Sequence, residues 1–144
     1  MLIAIIGENC SGKSTLANNI KDRFGAEVVS GKDYLRMAKT EQEAVKLFKE
    51  RLKDAVKGDN MIYIVSEKEQ AELLPEGTIR ILVKADLDTI KERFRERMHG
   101  NLPKPVEMML ERKHGMFDDG RYDYVYDGTS DDTELLCEKI KAAS

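Results

Sequence analysis

Apolar residues fall into short unbroken runs, separated by longer stretches in which they recur every third or fourth position. Leu2-Ile3-Ala4-Ile5-Ile6 is apolar throughout and stops at Gly7, the pattern of a strand buried on both faces of a parallel sheet. Leu16, Ala17, Ile20 and Phe24 follow at helical spacing, and Gly25 ends that helix. Glu27–Ser30 reads as a second strand and Gly31–Asp33 as a turn. Val45, Phe48, Leu52 and Val56 mark a helix over Glu41–Lys57, closed by Gly58. Met61–Val65 is a third strand, Glu69–Leu74 a short helix stopped by Pro75, and Thr78–Ala85 a fourth strand. A helix capped by Asp86 or Asp88 runs to about Met98. Gly100, Pro103 and Pro105 break the chain, and helix returns over Val106–Phe117. Tyr124–Tyr126 is a fifth strand, and Thr133–Ala142 is a last helix with Asp131 or Asp132 at its start. This alternation predicts an α/β fold: a three-layer, doubly wound, five-stranded parallel sheet that binds ligands beyond the carboxyl ends of its strands.

The chain has 144 residues, a length that predicts one domain. Apolar residues are 41% and charged residues 35%, which excludes a disordered chain. No apolar run is long enough to span a bilayer. The amino-terminal stretch lacks the basic-then-apolar pattern of a secretory signal, so a cytoplasmic location is expected. Cys10 and Cys137 are the two cysteines and lie far apart, which excludes a disulfide framework or a cysteine-rich zinc site. A net charge of −3 argues against broad nucleic-acid binding. Basic residues concentrate between Lys91 and His114, and acids dominate afterwards. That asymmetry fits a small anionic ligand, or simply a solvated helix face. No nucleic-acid or membrane partner is expected, and the chain is read as a monomer. His99 and His114 are isolated and read as surface residues.

Chemistry enters with Gly7-Glu8-Asn9-Cys10-Ser11-Gly12-Lys13-Ser14, which fits G-x-x-x-x-G-K-[ST] at every fixed position. The glycines permit backbone turns that aim successive N–H groups inward at a phosphate. The helix opening near Lys13, with Thr15 in its first turn, adds its positive end. Lys13 would reach the β- and γ-phosphates, and the Ser14 hydroxyl would ligate Mg2+. Cys10 lies inside the loop, where a helix end can lower a thiol pKa, but reads better as an incidental small residue.

No N-K-x-D or D-x-x-G element of a GTPase is present, and the chain is short for a motor ATPase. What remains resembles the small P-loop kinases, the adenylate, guanylate and shikimate kinase relatives, over nearly the whole chain. The resemblance implies ATP and Mg2+ as cofactors and phosphoryl transfer to a small acceptor. Ser30-Gly31-Lys32-Asp33-Tyr34-Leu35-Arg36 is similar to the segment after the second strand of adenylate kinases. It implies an acceptor site at Ser30, Asp33 and Arg36, with Arg36 gripping an acceptor phosphate. Asp33 can instead cap the following helix, and Arg36 can be a surface residue. Asp86-Leu87-Asp88-Thr89-Ile90-Lys91-Glu92-Arg93-Phe94-Arg95-Glu96-Arg97 resembles the helix that leads into a lid, here about 99–105. Arg93 and Arg97 share one helix face, whereas Arg95 points elsewhere. Arg112 matches the post-lid helix, whose arginine stabilises the transferring phosphoryl group. Tyr122–Gly128 resembles the last strand of guanylate kinases, after which Gly128–Ser130 would pack beside adenine.

The third strand lacks the family's aspartate near its end, and Glu67 or Asp33 would replace it at the metal. The acceptor segment, about 31–58, reads as helical, unlike the small sheet of guanylate kinases. Three outcomes stay open. The first is a nucleoside monophosphate acceptor, which the missing second acid near Asp33 favours. The second is a small hydroxyl metabolite with Asp33 as base, as in shikimate or gluconate kinases. The third is a nucleotide-binding module without catalysis.

Overall fold

Strand β1 (Leu2–Ile6) is almost wholly buried, and its side chains alternate between two cores. Leu2, Ala4 and Ile6 enter one core, and Ile3 and Ile5 enter the other. A strand with two apolar faces needs a layer of helices on each, and the alternating sequence supplies both. The computed structural model describes residues 1–128 and 132–143. The remaining strands are β2 (Glu27–Ser30), β3 (Met61–Val65), β4 (Ile79–Lys84) and β5 (Tyr124–Asp127). All pair in parallel, in the order β2-β3-β1-β4-β5. β1 is therefore central, and its carboxyl end lies between those of β3 and β4.

Helix α1 (Lys13–Phe24) and helix α6 (Thr133–Ala143) cover one face, where Leu16, Ala17, Ile20, Leu136 and Ile140 meet Ile3 and Ile5. Helix α2 (Glu41–Lys57) covers the other with Ala44, Phe48, Leu52 and Ala55. Its Thr40 cap accepts a bond from the Glu43 N–H at 3.2 Å. Short helix α3 (Lys68–Ala71) follows β3. Helix α4 (Leu87–Arg97) and helix α5 (Lys104–Lys113) enclose a third cluster of Cys10, Ala85, Ile90 and Leu110. Lys91 ties α4 to α5 by donating to Glu111 at 2.6 Å and to Glu107 at 3.4 Å.

The expected sheet and its flanking helices are all present, and the differences are local. Of the two candidate caps for α4, Asp86 serves, accepting from the Thr89 N–H at 2.8 Å, a bond that holds its carboxyl below the usual range. Helix α5 begins at Lys104 rather than Val106, because Pro105 sits in the first turn, where its missing N–H costs no helical bond. It ends at Lys113, ahead of Gly115 with φ +79°. The turn after β2 continues as a single stretch of 3-10 helix over Asp33–Met37. At the start of α6, Asp132 accepts from the Glu134 N–H, whereas Asp131 lies outside the described residues.

Phe48 is fully buried, stacks on Tyr34 with ring centroids 4.9 Å apart, and meets Tyr63 edge-on at the same separation. Phe48→Ala is expected to cost about 3–5 kcal/mol of stability, read by urea denaturation.

Candidate functional site: a phosphate-binding loop and its cleft

The loop between β1 and α1 is shaped by backbone approaches that no side chain could share. A Cβ on Gly7 would stand 2.7 Å from the Val83 carbonyl oxygen. Gly12 takes φ +107° and Cys10 φ +64°, so both reach left-handed angles that turn amides inward. The tightest contact comes from outside the motif: a Cβ on Gly128, just past β5, would stand 2.1 Å from the Ser11 carbonyl oxygen. Arg93 reinforces this junction, donating to the carbonyl of Cys10 at 3.0 Å and to that of Gly128 at 3.2 Å.

Lys13 is 6% exposed, and its ammonium donates to the carbonyls of Gly7 at 2.7 Å and Glu8 at 2.6 Å. It thereby curls back over the loop. Burial lowers its pKa to about 8. Arg97 lies close enough to add to that depression, while Cys10, Glu8 and Glu67 oppose it. Ser11 Oγ is buried and without a hydrogen-bond partner among the described residues. A cationic lysine, inward-turning glycine backbone and an unsatisfied hydroxyl together fit a polyphosphate tail.

A cleft of about 720 Å3 opens beside the loop. Asn9, Cys10, Gly12, Lys13, Ser14 and Thr15 form its phosphate end, with Arg93, Glu96 and Arg97 from α4 above. Ser30, Ile64 and Ser66, at the ends of β2 and β3, complete its lining there. Ser14 offers an exposed hydroxyl as a metal ligand. No group of three or more acidic, histidine or cysteine side chains suited to a metal occurs among the described residues. The donor set therefore suits Mg2+ carried largely by phosphate and water oxygens.

The other expected residues fall in several places. Glu8 belongs to the loop, but its carboxylate points away. One oxygen lies 3.0 Å from His114 Nδ1, and the other accepts from the Gly115 N–H at 3.1 Å. Glu67 sits just past β3 and accepts from Lys113 at 3.2 Å. Asp33 is exposed and accepts from the Ser30 N–H at 3.3 Å, which places it beside the cleft wall without lining it. Arg36 is exposed and does not line the cleft. Arg112 is likewise exposed and outside it. On α5 the basic residue that turns toward β3 is its neighbour Lys113, since adjacent helical positions diverge by about 100°. Arg95 pairs with Glu92 on the solvent side, as its spacing implied. The segment expected as a lid is a tight turn: His99 and Gly100 take left-handed angles, and Leu102 packs onto the third cluster. Beyond Gly128, residues Thr129 and Ser130, expected beside adenine, lie outside the described residues.

Two contributors escape a motif reading. Gly128 acts through the space it leaves for Ser11, a contact that only the folded sheet creates. Gln70 is 4% exposed, and its Oε1 accepts from the Ser66 N–H at 2.9 Å and the Glu67 N–H at 3.3 Å, which fixes the turn at the end of β3.

Lys13 generates a pH-dependence. Phosphate charge raises its pKa on binding, so a free loop in which the lysine is partly neutral must take up a proton. Triphosphate affinity is expected to fall as pH rises through about 8, with proton uptake seen by calorimetry in buffers of different ionisation enthalpy.

No protein-family model matches the chain, and no curated protein sequence does. Solved structures align over nearly its full length. An uncharacterized protein from Eubacterium ventriosum ATCC 27560 superposes with a TM-score of 0.67 at 16% identity, covering 99% of this chain and 97% of that one. Shikimate kinase from Acinetobacter baumannii, in complex with shikimate, gives 0.65 at 15% identity, with 99% and 91% covered. Deoxyadenosine kinase from M. mycoides gives 0.60 at 17%, covering all of both chains. Loop, cleft and strand order thus sit in a P-loop kinase-like fold, the α/β architecture that the motif implied.

Proposed function

We propose that this protein transfers the γ-phosphoryl group of ATP, bound with Mg2+, to a small acceptor. The observation that carries the reading is the loop itself: Lys13 lies over the Gly7 and Glu8 carbonyls, and the Ser11–Gly128 contact closes the nest. Main-chain amides of Gly7–Ser14 would hold the phosphates, and Lys13 and Arg97 would neutralise charge on the transferring group. Mg2+ would be held by Ser14, with Glu67 or Asp33 in place of the missing third-strand aspartate, and would supply charge neutralisation at the phosphate oxygens. Arg93 serves as a brace between the loop and Gly128.

Two acceptor classes follow from the segment after β2. A nucleoside monophosphate needs a cationic clamp, the role that sequence gives Arg36. A hydroxyl acceptor needs a base: its oxygen would bond to the γ-phosphorus, the bond to the ADP oxygen would break, and Asp33 would take the proton. The placement of Asp33 beside Ser30, with Arg36 outside the cleft, supports the second class. Structural neighbours named as kinases of shikimate and of deoxyadenosine agree with a small acceptor.

Lys13→Met is expected to abolish acceptor-stimulated ADP release, a loss of at least about 100-fold, while the circular dichroism spectrum stays unchanged. Full activity in that variant would overturn the assignment. Triphosphate binding without acceptor-stimulated release from any monophosphate or hydroxyl compound would instead mark a non-catalytic binding module. Arg36→Ala is expected to leave the acceptor KM within about twofold, and a tenfold rise would restore the monophosphate clamp.

A further inference from the structure

The walls of the cleft differ in charge. Lys13, Arg93 and Arg97 all stand at the phosphate end. At the ends of β2 and β3 the cleft is lined by Ser30, Ile64 and Ser66, and the Asp33 carboxylate accepts from the Ser30 N–H. Lys32, the cation closest to it in sequence, pairs with Glu69 of α3. Among the described residues, the ends of β2 and β3 contribute no cation to the cleft lining, and one carboxylate stands beside it.

Gln70 lies beneath that side. An amide oxygen that accepts from two backbone N–H groups cannot be exchanged for the amide nitrogen, so the orientation of the side chain is fixed by chemistry. The Nε2 group consequently points the other way, 3.7 Å from where a Cβ would stand on Gly31. It has no hydrogen-bond partner among the described residues, yet it is not among the sealed polar atoms, of which Ser11 Oγ is the one example. The 4% of Gln70 that meets solvent therefore includes this donor. Gln70 does not itself line the cleft, but its oxygen holds the Ser66 N–H and its nitrogen lies beside Gly31, next to the cleft-lining serines Ser30 and Ser66. A nearly buried residue held by its oxygen while its two N–H groups go unused is arranged to donate to something that arrives.

We infer that Gln70 is a specificity residue for the acceptor, and that the acceptor is an uncharged, hydroxyl-bearing molecule whose oxygen receives the Nε2 N–H. The inference rests on the phosphotransferase reading and narrows its substrate class. A site built to donate to a neutral oxygen discriminates strongly, because a mismatched acceptor leaves the amide unpaired.

The test pairs compounds that differ by one phosphate: adenosine with AMP, deoxyadenosine with dAMP, and D-glucose with glucose 6-phosphate. ADP release is measured for each on the wild-type protein, on Gln70→Glu and on Gln70→Leu. The glutamate keeps an oxygen for the Ser66 and Glu67 N–H groups but removes the donor, whereas the leucine removes both. At least one neutral member should be turned over with a KM about tenfold or more below that of its phosphorylated partner. Both variants should raise that KM at least about tenfold with the KM for ATP unchanged, and Gln70→Leu alone should lower Tm by several degrees. In the wild-type protein, the Gln70 side-chain amide resonance should shift on titration with the neutral compound and stay still with the phosphorylated one. That reading does not depend on how well either variant folds.

A preference for the monophosphates, a KM that follows Tm across the variants, or an amide resonance that no compound moves would each overturn the inference and leave the kinase reading standing. Failure of a non-hydrolysable ATP analogue to bind the wild-type protein would remove the kinase reading, and the acceptor assignment with it.

Discussion

The site depends on one close approach of backbone to backbone. The carbonyl of Ser11 and the Cα of Gly128 come together in space that no other residue could occupy. These residues belong to opposite ends of the chain and meet because β1 and β5 flank β4 in one parallel sheet. Arg93 secures the meeting by donating to a carbonyl on each side. The Gly7, Glu8 and Cys10 carbonyls are engaged by Lys13 and Arg93, which fixes the path of the loop backbone. The phosphate nest is therefore a product of the whole sheet, although the eight-residue motif alone announces it.

Electrostatics divide the same cleft. Burial destabilises the Lys13 charge, and the Gly7 and Glu8 carbonyls partly compensate. Arg97 adds a second positive group nearby, so this end is poised for a highly charged anion. Toward β2 and β3 the lining turns to Ser30, Ile64 and Ser66, which carry no charge, with the Asp33 carboxylate behind Ser30. A phosphotransferase gains from such a gradient, because one substrate brings the charge and the other need not.

Much of this was legible in the sequence. The five strands appear as apolar runs because a doubly covered parallel sheet demands them, and the phosphate loop is readable because glycine and lysine have few substitutes there. The pairing of Arg93 with Arg97 on one face follows from helical spacing. The placement of Arg112 and Arg36 was less legible. A resemblance supplies an arginine's place in the order of the chain, but whether it turns inward depends on rotation about the helix and on side-chain length. Lys113 holds the inward position on α5 one residue away. The loop over 99–105 resembles a lid in its breakers, yet Leu102 anchors it to the cluster under α4. Gln70 gave no signal, since its role comes from which of its two amide atoms the backbone occupies.

Glu8 shows what such couplings mean for movement. It sits in the phosphate loop, yet both its carboxylate oxygens engage the turn after α5, at His114 and Gly115. The carboxyl-terminal end of α5 is thus moored to a loop whose backbone approaches leave no room for a side chain at Gly7 or Gly128. Any swing of the α4–α5 hairpin would pivot about that mooring. The stroke would be that of a hinged flap and not of a sliding cover, its axle set by a side chain whose own backbone belongs to the loop between β1 and α1.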